Sequence, residues 1–247
     1  DGLLAGLLAE AETYGCPLVG GNLSRAPQTS VTITAHGSVK RGRALLRDAA
    51  RPGDRIFVTG TLGGAALEVA RAAAGRGRVR GVPTPRLKAG YALARMAGVG
   101  ACIDVSDGLL ADLDHVLDRS GCAADLELAR VPRPPRFEAA CARLGVDPIE
   151  LVTCGGEDYE LLFTLRGRGR PAGRSAVGRS RPAGSSAPAR SGEASGSRAS
   201  AHSLEASGAA RPTAAALSRR LGVPVTEIGK MIKTAKKHRK TAGWRHF

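Results

Sequence analysis

A short strand followed by a glycine turn and a helix occurs twice in this chain, and this pattern constrains the fold more than any other feature. The first copy joins a strand over 54–59 (DRIFVT) through a glycine-rich turn to a helix over 65–74. The second runs from Ile103 to Arg119, where the apolar residues after the turn recur at helical spacing. Strand–turn–helix units of this kind pack helices onto a sheet, so we expect layered α and β structure.

Periodicity predicts further elements on both sides of these two units. Helical spacing indicates helices over 2–13, 88–96 and 136–144. Alternating β-branched and smaller residues predict a strand over 30–39 (SVTITAHGSV), and strands also fit 124–128 and 159–165. At the second turn, Asp107 is expected to cap the helix that follows it.

The positive charge of the chain is confined to its last third. Residues 1–165 contain 19 Lys and Arg against 19 Asp and Glu, whereas residues 166–247 contain 18 against 3, which accounts for the net charge of +15. Residues 166–210 are rich in Arg, Gly, Ser, Ala and Pro and poor in large apolar side chains, so we expect disorder there. The alternative function is a basic, non-catalytic nucleic-acid-binding protein acting through residues 166–240. The absence of interleaved Tyr or Phe that could stack on bases argues against it.

The apolar runs and the cysteines indicate the cellular location of the protein. No run reaches the roughly 18 apolar residues of a membrane-spanning helix, so we expect no membrane partner. The cysteines are odd in number, scattered and without a Cys-x-x-Cys pair; they are Cys16, Cys102, Cys122, Cys141 and Cys154. Such a pattern fits buried thiols in a reducing compartment better than disulfides or zinc. We therefore expect a cytoplasmic protein.

The second turn carries two carboxylates and a hydroxyl within the four residues Asp104-Val105-Ser106-Asp107. A helix N-terminus explains one acid and the serine, because both satisfy free amides at the positive end of the helix dipole. It does not explain Asp104, which ends an apolar strand and would be costly to bury unpaired. Two carboxylates around a tight turn suit Mg²⁺, which keeps several waters and bridges to phosphate oxygens.

Three other glycine turns could likewise have either a structural role or a role in phosphate binding. GGEDYE at 155–160 is acidic, while GGN at 20–22 and TGTLG at 59–63 are neutral. Each one alone fits a simple chain reversal with solvated side chains. Each can also expose backbone N–H groups to a phosphate. The four turns together indicate a phosphate site more strongly than any one of them.

Six stretches of the chain resemble the thiamine-monophosphate kinases, a family within the superfamily of aminoimidazole ribonucleotide synthetase and selenophosphate synthetase. The combination of GRALLR, DVSDGLLADL and GGEDYELLFT is specific to this kinase family. The resemblance covers nearly all of 1–165 and resumes over 213–247. The stretches are LVGGNLSRAP (18–27), GRALLRDAARPGDRIFVTGTLGGAAL (42–67), IDVSDGLLADLDHVLDRSG (103–121), GGEDYELLFT (155–164), LGVPVTEIG (221–229) and GWRHF (243–247).

The resemblance implies an α+β fold with the two-domain architecture of aminoimidazole ribonucleotide synthetase. Residues 1–40 would be the remainder of the N-terminal ATP- and metal-binding domain. Residues 41–165 would form the mixed α/β C-terminal domain, completed by 211–247 after the low-complexity segment 166–210. The family's earlier segment, with its acidic Gly-Asp-Asp turn, matches nothing here. We therefore expect an N-terminally truncated member whose turnover on its own is limited by the missing ligands.

The resemblance also implies ATP-dependent phosphorylation of thiamine monophosphate to thiamine diphosphate, with Mg²⁺ as cofactor and a homodimer as the assembly. No catalytic residue is assigned, and phosphoryl transfer depends mainly on positioning and charge neutralisation. On the family's pattern, the metal ligands are Asp104, Asp107 and Asn22, where Asn22 is weakened because the family has Asp. The ATP contacts are Gly21, Asn22, Arg47 and Ser106, and the thiamine monophosphate contacts are Glu157 and Trp244.

Overall fold

The structure is a computed structural model that describes residues 2–166 and 212–234. It divides into two units, Asp1–Val39 and Lys40–Phe247, which are considered separately. The first unit contains helix α1 (Gly2–Thr13), which confirms the prediction for 2–13.

The strand predicted over 30–39 is wrong, since these residues have no regular secondary structure. Val31, Ile33 and Val39 are 50%, 72% and 61% exposed. A strand needs a hydrogen-bonded neighbour, and the described part of this unit, residues 2–39, contains no strand that could pair with it. Alternation alone therefore did not produce a strand here.

The second unit contains the other predicted elements, each within a few residues of its expected bounds, together with α6, α7 and β5, which periodicity did not predict. In chain order the elements are β1 (Arg55–Thr59), α2 (Gly64–Ala73), α3 (Leu87–Ala94), β2 (Val99–Val105), α4 (Leu109–Ser120), β3 (Cys122–Leu126), α5 (Phe137–Leu144), α6 (Pro148–Cys154), β4 (Glu160–Leu165), α7 (Ala214–Leu221) and β5 (Val225–Lys233). None of the helices in the described ranges is both long enough and apolar enough to cross a membrane.

The strands form one antiparallel sheet in the order β2-β4-β1-β5-β3. Val105 at the end of β2 lies opposite Glu160 at the start of β4, and Val58 of β1 lies opposite Leu162. The ends of β1 and β2 and the start of β4 therefore meet at one end of the sheet. The last strand of the described residues, β5, occupies an interior position between β1 and β3.

Two apolar clusters cover the two faces of the sheet. Because side chains alternate along a strand, Ile56 and Val58 join a cluster with α4, α5 and α6, whereas Phe57 joins one with α3 and α7. Phe57 and Phe163 stack with their ring centroids 5.4 Å apart. The predicted α+β class is confirmed: helices cover both faces of an antiparallel sheet.

Candidate functional site

Two acidic segments meet at the end of the sheet where β2 stops and β4 begins. The N–H of Glu157 donates to the Ser106 carbonyl at 2.8 Å, and the N–H of Tyr159 donates to the Val105 carbonyl at 2.9 Å. Helix α6, capped by the Asp147 side chain, leads directly into this loop. The turn 104–108 and the loop 155–159 are thus two sides of one surface.

Glycines make this contact possible. A Cβ built at Gly108 would lie 2.9 Å from the backbone of Cys154, and one built at Gly156 would lie 2.2 Å from the Ser106 carbonyl oxygen. No other residue type fits at Gly156 without separating the two segments. The glycines of both acidic motifs therefore serve backbone-to-backbone packing.

Asp112, in the first turn of α4, binds the backbone of the acidic turn. Its carboxylate Oδ2 accepts the N–H groups of Ser106 at 2.9 Å and of Asp107 at 3.0 Å, and the residue is only 3% exposed. The prediction that Asp107 caps α4 is wrong: the helix begins after Gly108, and Asp107 makes no capping bond. Asp112 instead satisfies two amides of the turn that precedes the helix, and the Asp107 side chain is exposed to solvent.

Asp107, Asp112 and His115 each offer a ligand atom, and these atoms lie within 4.8 Å of one another. Burial is the main cause that raises the pKa of Asp112, and the charges of Asp107 and Asp104 add to it. Sequence reasoning missed Asp112 and His115. Their spacing of three on a predicted helix, which puts them on one face, was the available signal.

Asp158 points away from the acidic turn. Its carboxylate accepts the N–H of Gly63 at 2.6 Å and that of Ala65 at 3.2 Å, at the start of α2. Burial raises the pKa of Asp158, while these backbone hydrogen bonds oppose the shift. The turn at 59–63, considered above as a phosphate-binding turn, already has an anion from this chain at its helix N-terminus.

Glu157 faces solvent from a left-handed backbone conformation, with φ of 66°. Its carboxylate is the first cause of the raised pKa of the Tyr159 hydroxyl, and burial, Asp104 and Asp107 contribute further. Asp104 and Asp107 are also exposed, and none of the three carboxylates forms an ion pair within the described ranges. Three carboxylates that lack an ion-pair partner in the described ranges therefore raise the pKa of one phenol.

Arg47 belongs to the same unit but is not brought to this surface. Arg47 is exposed, and its carbonyl accepts the Ser120 hydroxyl at the C-terminal end of α4, opposite the acidic turn. Gly21 and Asn22 belong to the first unit, where the Asn22 amide donates to Ser24 Oγ at 3.3 Å. Trp244 and most of the segment predicted to be disordered, 166–210, lie outside the described residues. Their proposed roles stay predictions.

Comparisons with known proteins agree with the motifs. The family model for the AIR synthase related protein, C-terminal domain, matches residues 51–167. Thiamine-monophosphate kinase of Escherichia coli K12 is 40% identical over 173 residues, covering 64% of this chain and 51% of the relative. The chain spans about half the length of the curated relatives it matches.

Solved structures give the same result. The crystal structure of thiamine-monophosphate kinase from Stenotrophomonas maltophilia K279a is 29% identical with a TM-score of 0.55, covering 79% of this chain and 52% of that one. AaThiL complexed with AMPPCP and TMP shares the fold, with 24% identity, a TM-score of 0.50 and coverage of 82% and 54%. Residues 51–167 therefore match the C-terminal domain of the AIR synthase related proteins, and the chain is similar to the thiamine-monophosphate kinases.

Proposed function

We propose that this chain carries part of a site for ATP-dependent phosphorylation of thiamine monophosphate to thiamine diphosphate. The observation that carries the proposal is the backbone pairing of Glu157 with Ser106 and of Tyr159 with Val105, which joins two acidic segments into one surface. The related AaThiL, solved with AMPPCP and TMP, supports the choice of ligands. Because the chain spans half of its relatives, this activity is proposed for the site and not for a complete enzyme.

Asp104 and Asp107 would hold Mg²⁺. Both are exposed carboxylates without a cationic partner in the described part of the chain, and carboxylate oxygens are the ligands that Mg²⁺ prefers. When bound, the ion supplies neutralisation of charge on the phosphates and orientation of the transferred group. In the first unit, Asn22 would be a weaker ligand than the Asp of the family, because an amide oxygen carries no net charge.

The remaining polar residues would bind and orient the two substrates. The Ser106 hydroxyl and the Arg47 guanidinium are proposed to contact nucleotide phosphates, together with the backbone at Gly21 and Asn22. The exposed carboxylate of Glu157 suits the cationic thiazolium or the aminopyrimidine of thiamine monophosphate, and Trp244 would offer a ring face to it. Positioning by these groups, rather than proton transfer, is the chemistry we assign to the chain.

Assembly and location follow the family. We propose a homodimer and a cytoplasmic location, the latter supported by five free cysteines, of which Cys102, Cys122 and Cys141 are buried. The nucleic-acid-binding alternative gains no support from the relatives, which are named as kinases. It also depends mainly on residues outside the described ranges.

Calorimetry with Mg²⁺, AMPPCP and thiamine monophosphate tests the proposal. Asp104→Asn/Asp107→Asn should weaken Mg²⁺-dependent nucleotide binding at least about tenfold, since two charge-assisted contacts are lost. The matched control is Asp114→Asn/Asp118→Asn, which makes the same charge change at exposed positions of the helix that follows the turn. Equal losses in both variants, or no nucleotide binding by the parent chain, would contradict the proposed site.

A further inference from the structure

We propose that Arg86 is a positioning residue, which acts through the buried carboxylate of Glu160 to hold the loop 155–159 against the turn 104–108. The ion pair lies beside the candidate site but none of its atoms belongs to the acidic surface. The inference rests on the proposed function only where it concerns ligand binding. Its structural part is independent of that function.

Glu160 is a carboxylate with 4% exposure whose oxygens are satisfied by two side chains. Arg86 donates from Nε to Oε2 at 2.7 Å and from Nη2 to Oε1, a bidentate pairing in which the Arg86 side chain is 29% exposed. Thr59 donates its hydroxyl to Oε2 at 2.6 Å. Bidentate guanidinium–carboxylate pairs fix orientation as well as charge.

The pair ties three segments together at the site end of the sheet. Glu160 is the first residue of β4, follows Tyr159 directly and lies opposite Val105. Thr59 ends β1, and its Oγ1 also accepts the N–H of Leu161 at 2.8 Å. The carboxylate fills the space where Gly60 has no side chain. Arg86 adds the start of α3 to this junction.

Loss of the guanidinium would leave a carboxylate buried and unpaired. Breaking a buried pair by removing one partner is strongly destabilising, because the remaining charge must regain water. We expect the carboxylate to do so by a movement of the start of β4 away from Thr59 and Gly60. The bonds from Glu157 to Ser106 and from Tyr159 to Val105 would open with that movement, since they lie immediately upstream on the same segment.

Residue-resolved hydrogen exchange of Arg86→Met is the first test, and it needs no ligand. We expect the amides of Glu157, Tyr159 and Leu161 to exchange at least about tenfold faster. The amide of Met231, which donates to the Asp54 carbonyl elsewhere in the sheet, should change far less. A purely global loss of stability would instead accelerate all protected amides together.

Arg55→Met is the matched control. Arg55 pairs with Glu227 at 3.1 Å, with side chains 14% and 27% exposed, and it begins the strand that Thr59 ends. The control should leave exchange at Glu157 and Tyr159 unchanged. Unchanged exchange at these amides in folded Arg86→Met, or equal acceleration in Arg55→Met, would overturn the inference.

Two further variants keep the test decisive if Arg86→Met is poorly folded. Arg86→Met/Glu160→Gln removes the unpaired charge while the introduced amide keeps an acceptor for Thr59, so its exchange should be slower than in the single variant. Arg86→Lys keeps the positive charge but cannot form the bidentate pairing, so its exchange rates should lie between those of Arg86→Met and the parent. A double variant that exchanges as fast as or faster than Arg86→Met would overturn the inference.

Binding provides the functional readout. Arg86→Met should weaken thiamine monophosphate binding, which depends on Glu157, at least about tenfold more than Mg²⁺–AMPPCP binding, which depends on the turn held by Asp112. If the binding of both ligands weakens equally, Arg86 only stabilises the fold and the inference that it positions the loop is overturned. If the parent chain binds neither ligand, the proposed function fails while the exchange experiment still decides the role of Arg86.

Discussion

Glu157, Asp158 and Glu160 lie within four positions of the chain and have three different environments. Glu157 is exposed beside Tyr159, Asp158 accepts amides at the start of α2, and Glu160 is buried against Arg86. Sequence reasoning proposed a role for Glu157 through the family resemblance. It could not separate the three acids, because the partners of Asp158 and Glu160 are 74 to 101 residues away in sequence.

Glu157→Gln should lower the pKa of Tyr159, since the Glu157 carboxylate is the largest cause of its rise. Removing that negative charge makes the phenolate less costly to form. Absorbance titration near the phenolate band, in a Tyr14→Phe/Tyr91→Phe background, measures this directly. Glu150→Gln, at a carboxylate on α6, is the control and should leave the titration unchanged; an unchanged pKa in Glu157→Gln would contradict the site geometry.

Asp158 predicts a specific pH dependence of stability. Its folded-state pKa is raised above the ordinary value of 3.8, so the folded chain binds more protons than the unfolded chain just above that pH. Stability from this group therefore falls as pH rises through the interval between the two values. The free energy of unfolding of the parent minus that of Asp158→Asn should decrease as the pH rises above the ordinary value of 3.8.

Urea unfolding of both proteins at each pH measures this difference. Asp118→Asn, at an exposed aspartate on α4, should show no such pH dependence. A parent-minus-Asp158→Asn difference that increases with pH would show that the hydrogen bonds to Gly63 and Ala65 outweigh burial.

At the scale of elements, the two ends of α4 are both formed by glycines with positive φ, but only one end is packed. Gly108, with φ of 112°, lies against the Cys154 backbone, whereas Gly121, with φ of 62°, has no atom within 4 Å of a built Cβ. Gly121→Ala should cost about 1 kcal/mol for the left-handed conformation alone. Gly108→Ala should lower the free energy of unfolding by about 3 kcal/mol or more, because the added methyl group must also displace the backbone at Cys154.

Denaturant unfolding of these two variants separates packing from conformation. Gly108→Ala should also speed amide exchange at Glu157, whereas Gly121→Ala should not. Equal costs for the two variants would mean that the turn and the loop adapt to each other without penalty.

Most elements of the second unit could be predicted from periodicity, because their apolar faces pack in the two clusters. Helices α2, α4 and α5 and strands β1 and β4 follow their patterns closely. The prediction of a strand at 30–39 is wrong because periodicity indicates only that one face of a segment could be buried. It does not indicate whether a partner strand exists. The predicted capping role of Asp107 is wrong because the N-cap position is taken by Gly108, and Asp107 is instead bound through its own N–H by the Asp112 carboxylate.

At the scale of the whole molecule, the sheet depends on its last strand. β5 pairs with both β1 and β3, and α7 contributes Leu217 and Leu221 to the core. Local patterns could not predict this order, because β1 and β5 are separated by more than 160 residues.

A truncation after residue 211 should abolish cooperative unfolding, because β3 loses its partner and β1 keeps one neighbour instead of two. A truncation after residue 234 retains every described strand and should unfold as cooperatively as the parent. Circular dichroism during thermal unfolding measures both. The second truncation also removes Trp244, so loss of thiamine monophosphate binding without loss of folding would support its proposed role.

The interior position of β5 also has a consequence for synthesis on the ribosome. Residues 60–224 are translated between the completion of β1 and the first residue of β5, which takes about 10 to 30 s at common elongation rates. During this interval the nascent chain presents the edge of β1, and after residue 126 also that of β3, without the partner strand β5, and such edges can pair with strands of other chains. The yield of native protein should therefore depend on elongation speed and on chaperones that bind nascent chains.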